Sequence, residues 1–155
     1  MINKLLFATL ALVGSSSGLL LAADAFSGSW KLNVAKSTFA SDYPVPKELT
    51  LTFTEQGANR IQILKGIAAD GSETFTSWTA PITGGIVTFP AGQGPNGGAS
   101  LRVVDDKTLF MTQNLPKPKV GASRTFQVSG DGETLTMTVI HETGRERAKM
   151  AFSRQ

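Results

Sequence analysis

Leu49-Thr50-Leu51-Thr52-Phe53-Thr54 alternates apolar and polar residues at every step, and so does Thr134-Leu135-Thr136-Met137-Thr138-Val139. Successive side chains of an extended strand point to opposite faces, so this period of two puts the Leu, Phe, Met and Val residues on one face and the threonines on the other. Threonine and the aromatic residues also favour the pleated conformation. After the first two dozen residues no convincing apolar stripe of helical period is found.

Turn chemistry punctuates the runs. Asp70-Gly71, Asp105-Asp106, Gly130-Asp131-Gly132 and Thr143-Gly144 separate successive apolar stretches. Gly and Asp supply the dihedrals and local hydrogen bonds that tight hairpins need. The spacing predicts strands over 28–34, 48–55, 59–68, 72–80, 85–90, 100–105, 107–114, 122–129, 133–141 and 146–154. Many short strands joined in sequence argue for an antiparallel meander. A meander of this length leaves two exposed edges unless it closes. The fold expected is therefore all-β, an antiparallel up-and-down barrel of eight to ten strands, in preference to a two-sheet sandwich. Three segments fall outside it. Residues 35–47, with Pro44 and Pro46, are long enough for one short helical turn. The Gly-rich stretch 91–99 is expected as a flexible rim loop, and Pro116-Lys117-Pro118-Lys119 as a stiff connection.

The N-terminus has a different character. Lys4 precedes the apolar run Leu5–Val13, then Gly14-Ser15-Ser16-Ser17-Gly18, then Leu19–Leu21 and the small residues Ala22, Ala23 and Ala25. This is the three-part layout of a secretory signal peptide. Residues 1–23 are expected to be that signal, with cleavage after Ala23 or Ala25, and 24–155 the barrel domain, periplasmic or secreted. The Gly/Ser break argues against a membrane anchor, which needs about 20 apolar residues in a row. The chain has no Cys, so the fold holds without disulfides, and thiol nucleophiles, iron–sulfur clusters and thiolate zinc sites are excluded.

The formal net charge is +3, with basic residues scattered apart from small groups at Lys117/Lys119 and Arg145/Arg147. That distribution favours a solvated surface over a nucleic-acid footprint. The sole His, His141, cannot build a multi-His metal site, and Gly-x-Ser-x-Gly is absent. Asp105/Asp106 and Glu142/Glu146 fall in expected turns, where acids are common. The glycines at 92, 94, 97 and 98 lack the following Lys-Ser/Thr and helix of a phosphate loop. No catalytic constellation, metal site or cofactor is expected.

The stretch Phe26-Ser27-Gly28-Ser29-Trp30-Lys31-Leu32, at the head of a barrel-length meander, resembles the calycins: lipocalins and, more closely, fatty-acid-binding proteins. The longer string from Gly28 to Phe39 is similar to small exported bacterial proteins that open Gly-Thr-Trp-Lys-Leu-Asn. The resemblance implies that Trp30 plugs one end of the barrel beneath an Arg, either Arg154 or Arg124. It also implies an interior that holds one small molecule. The Arg-x-Tyr pair with which fatty-acid-binding proteins hold a carboxylate is absent, since the sole Tyr is Tyr43. Segment 35–47 is also too short for their two-helix lid.

The expected ligand is a small hydrophobic or amphipathic molecule bound by a monomer. Trp78 is a candidate cavity wall, with Met111 and Phe126 as apolar lining. Arg102 and Arg124 are candidate anchors for an anionic group, because a buried guanidinium needs a partner. The competing expectation is a non-catalytic interaction domain with a filled interior, working through loops 91–99 and 114–121 or a strand edge.

Overall fold

A computed structural model describes residues 24–114 and 121–155. The expectations for the signal segment 1–23 and for residues 115–120, including Lys117 and Lys119, lie outside the described residues. Ten strands follow one another: β1 (Gly28–Phe39), β2 (Glu48–Gln56), β3 (Asn59–Ile67), β4 (Glu73–Pro81), β5 (Gly85–Val87), β6 (Ala99–Asp105), β7 (Thr108–Gln113), β8 (Ser123–Val128), β9 (Thr134–Ile140) and β10 (Glu146–Arg154). They form one antiparallel sheet in the order β4-β3-β2-β1-β10-β9-β8-β7-β6-β5. The sheet curls until its two edges meet at a single bridge. There Thr79 and Thr88 exchange both backbone hydrogen bonds, at 2.9 and 2.8 Å. The barrel is thus nearly closed, as the meander predicts.

The alternation read from the sequence is the inside–outside alternation of the barrel. Leu49, Leu51 and Phe53 of β2, Leu135 and Met137 of β9, and Met150 and Phe152 of β10 are buried, and the interleaved threonines are not. Three turn aspartates act as the sequence implies. Asp70, Asp105 and Asp131 each accept the backbone N–H two residues on, from Ser72, Lys107 and Glu133, at 2.9, 2.8 and 3.1 Å. At Asp70 and Asp131 the side-chain bond adds to backbone bonds in the same turns, from Gly71 N to Ala68 O and from Gly132 N to Ser129 O, both at 3.0 Å.

Two boundaries differ from expectation by more than one residue. Residues 35–47 form no helix; β1 runs on to Phe39 through a break in register between Asn33 and Thr38. The Ser37 hydroxyl repairs the break, donating to Asn33 O at 2.7 Å and accepting the Ala151 N–H at 2.9 Å. This satisfies a ladder group that the irregularity would leave bare. β5 stops at Val87, short of residue 90, because its partner β6 begins at Ala99 and Thr88 turns across to β4. No helix of the described residues is long and apolar enough to cross a membrane.

Candidate functional site

The connections β2–β3, β4–β5, β6–β7 and β8–β9 gather at one end of the barrel with residues 24–27, and that end is plugged. Trp30 is fully buried and donates its indole N–H to Phe26 O at 2.9 Å. Arg154, not Arg124, lies over its ring. Above this plug, Phe53 meets Phe26, Phe126 and Trp78 at centroid separations of 5.7, 5.7 and 6.1 Å, the last two edge-on. Edge-to-face packing of rings this close fills the cross-section with little void.

Beyond that aromatic floor the barrel is hollow. A cavity of about 260 Å³ is lined by Leu51, Leu64, Trp78, Met111, Phe126 and Met137, with the polar side chains of Gln62, Thr76, Gln113 and Arg124 among them. Phe89, Gly94 and Pro95 cover part of its mouth. The Gly-rich loop is therefore folded over the opening. It is tied there by Gln113 Nε2 to Asn96 O at 3.3 Å, Asn114 N to Gly98 O at 2.9 Å and Ser77 N to Gln93 Oε1 at 3.4 Å. Gly94, at φ +90°, has no room for a side chain: a Cβ would stand 2.5 Å from the Phe89 ring.

The residues singled out from the sequence separate cleanly. Trp78, Met111, Phe126 and Arg124 all line the cavity. Arg102 does not. It pairs with Phe110 across β6 and β7 on the outer face, where its guanidinium sits 5.3 Å from that ring. Leu101 is buried because it takes the inward register, and Arg102 is thereby sent to solvent. Arg124 holds the opposite register. Its cross-strand neighbours are Met111 and Val139, and it opens into the cavity near the start of β8. Among the described residues no carboxylate pairs with it and no group hydrogen-bonds to it. The side chain stands exposed at the mouth; desolvation by the surrounding wall pushes its guanidinium below the ordinary value, while the Tyr43 phenol acts in the opposite sense. An arginine nonetheless stays charged under ordinary conditions.

Two polar residues of the interior escape a sequence reading. Gln62 and Arg60 of β3 are buried, whereas Ile61 between them and Ile63 after Gln62 face outward. Ile61 and Ile63 carry the apolar signal of this strand, and a local reading of period two turns it inside out. The signal that finds the true register is the hairpin. A two-residue connection, Gly57-Ala58, pairs Leu51 with Leu64 and Phe53 with Gln62, so an inward Phe53 requires an inward Gln62. The Nε2 of Gln62 has no partner among the described residues. Arg60 lies at the plugged end, bound to Asp24 at 2.9 Å, near Glu55 at 3.8 Å and over the Phe26 ring at 5.3 Å.

Elsewhere the chemistry is that of a surface. Asp42 takes two hydrogen bonds from Arg145, at 2.8 and 2.7 Å, and lies 3.8 Å from Arg147, which partly neutralises that basic pair. His141 sits in the β9–β10 turn with Nδ1 3.1 Å from the Thr143 hydroxyl. No cluster of three or more potential metal ligands occurs among the described residues.

No family model matches the sequence, and no curated protein does. Among solved structures, a Schistosoma mansoni fatty acid binding protein in complex with arachidonic acid is similar, with a TM-score of 0.50 and 18% identity over 84% of this chain and 96% of that one. The likeness is one of fold: this chain is a nearly closed, ten-stranded antiparallel barrel of the calycin type.

Proposed function

We propose that the barrel binds a small amphipathic molecule, with its apolar body in the cavity and an anionic group on Arg124. One observation carries this reading. A guanidinium on the inner face, facing a hollow apolar space, has no anion of its own chain beside it among the described residues. Arg124 stands exposed at the mouth, so its charge meets solvent and is open to an anionic partner. A carboxylate, sulfonate or phosphate on the ligand supplies it, with two parallel hydrogen bonds to the guanidinium fork. Trp78, Met111 and Phe126 then provide the apolar contact. The calycin-type fold supports the same reading, since the similar solved structure holds a fatty acid. Nothing in the site calls for catalysis, and binding alone is proposed. The signal-like N-terminus supports an exported protein, checked by cell fractionation and the intact mass of the recovered chain.

The test is a fluorescence titration of residues 24–155 with an environment-sensitive anionic naphthalene dye. Saturable binding is expected, weakened roughly 2- to 5-fold by Arg124→Leu, as befits a solvent-exposed ion pair worth about 0.5–1 kcal/mol. Trp78→Ala is expected to weaken it as well. Absence of binding to a folded protein refutes the proposal and turns attention to the rim loops as a protein-contact surface.

A further inference from the structure

Resting on the reading just given, we infer that the ligand is a compact aromatic monoanion bearing one hydrogen-bond acceptor on its ring, and that the site excludes long-chain lipids. The argument begins with volume. An apolar cavity of about 150 Å³ holds a benzene molecule, roughly 25 Å³ for each carbon. By that measure a cavity of about 260 Å³ takes a body of roughly ten non-hydrogen atoms, two fused rings rather than sixteen or more methylenes.

The floor sets the same limit. Arg124 and Phe126 share the inner face of β8, two residues or about 7 Å apart along the strand. Below Phe126 the lumen is occupied by Phe53, Phe26 and Trp30, all essentially without exposure. A chain anchored at Arg124 and directed inward therefore meets rings, not a channel.

The lining is matched to a planar guest. Trp78 and Phe126 present ring faces and edges at a centroid separation of 6.4 Å, and Met111 and Met137 place thioethers on the same wall. Aromatic rings pack well against both.

Gln62 supplies the second polar contact. It is 97% buried, its Nε2 has no partner among the described residues, and it lines the cavity beside Trp78, its register partner on β4. In the strand order of this barrel β3 and β8 stand five places apart in a ring of ten, so Gln62 and Arg124 face each other across the lumen. A buried donor left unpaired carries a desolvation cost that a ligand oxygen or ring nitrogen removes. The two side chains thus define opposite poles of one small molecule: an anion at the mouth and an acceptor at the floor.

The experiment competes four probes against the dye: 2-naphthoate, 6-hydroxy-2-naphthoate, decanoate, and palmitate below its micellar concentration. The expected order has 6-hydroxy-2-naphthoate roughly 5- to 10-fold tighter than 2-naphthoate, and palmitate at least 10-fold weaker than either. Gln62→Leu, near in size and checked for an unchanged unfolding midpoint, is expected to erase the advantage of the hydroxyl while leaving 2-naphthoate in place. Palmitate binding as tightly as the naphthoates overturns the inference and leaves the proposed function standing. So does an unchanged hydroxyl preference in Gln62→Leu, or, if that variant does not fold, the absence of any hydroxyl preference in the native chain. Failure of the dye and all four probes overturns both.

Discussion

Arg154 lies over the indole of Trp30, its guanidinium carbon 4.1 Å from the ring centroid. The two residues are direct partners across β1 and β10, so the first and last strands of the barrel are joined by their side chains as well as by their backbones. The same guanidinium donates to Gly132 O at 2.7 Å, Ser27 O at 2.8 Å and Ala25 O at 2.9 Å. It thereby ties the β8–β9 turn and the residues before β1 into one plug.

Replacing this arginine tests the plug. Arg154→Lys keeps a cation near the ring but loses the planar fork that serves three carbonyls. Its expected cost is about 2 kcal/mol, with Arg154→Ala costing more. Urea unfolding of residues 24–155 measures it; a midpoint unchanged in both variants would show that the stacked arginine is incidental.

The ion pair between Arg60 and Asp24 tests the same end from the other side. Both side chains are nearly buried, 5% and 11% exposed, and the Nε and Nη1 of Arg60 have no partner among the described residues. A chain beginning at Phe26 lacks Asp24 and the Ala25 carbonyl that Arg154 uses, and leaves the Arg60 guanidinium with Glu55 alone at 3.8 Å, at a cost of about 3 kcal/mol relative to one beginning at Asp24. Processing after Ala23 keeps the pair and processing after Ala25 removes it. Thermal unfolding of the two chains, made separately, is the measurement, and equal midpoints refute the assignment.

Acid should loosen the β8–β9 turn. The Ser129 hydroxyl first, then the Glu133 N–H, hold the Asp131 carboxyl below its ordinary value, with Lys107 adding to the effect. A carboxyl lowered in the folded state stabilises it above the ordinary value near 3.9, and that contribution is lost as pH falls through the lowered one. The Asp131 carboxyl carbon, followed by NMR, is expected to titrate below the ordinary midpoint, and Ser129→Ala to bring it back up. A native midpoint at the ordinary value contradicts the hydrogen-bonded turn.

The sequence by itself determined the fold class, a count of eight to ten strands and the chemistry of the turns. These follow from local rules: a period of two, β-branched threonines, and Asp-Gly pairs that close a hairpin whatever lies beyond it. It also singled out Trp78, Met111, Phe126, Arg124 and Arg102 for the interior, of which Arg102 lies outside. The tertiary structure alone decided the remainder. Alternation says that neighbouring residues face opposite ways, not which way is in. Arg102 and Arg124 look alike in sequence, yet only Arg124 faces the lumen, because register is set by pairing across the whole sheet. For the same reason Ile61 and Ile63 point out while Arg60 and Gln62 point in. Whether the barrel is hollow depends on how rings from β2, β4 and β8 meet in its middle. That packing joins residues far apart in the chain, and no local pattern encodes the volume they leave.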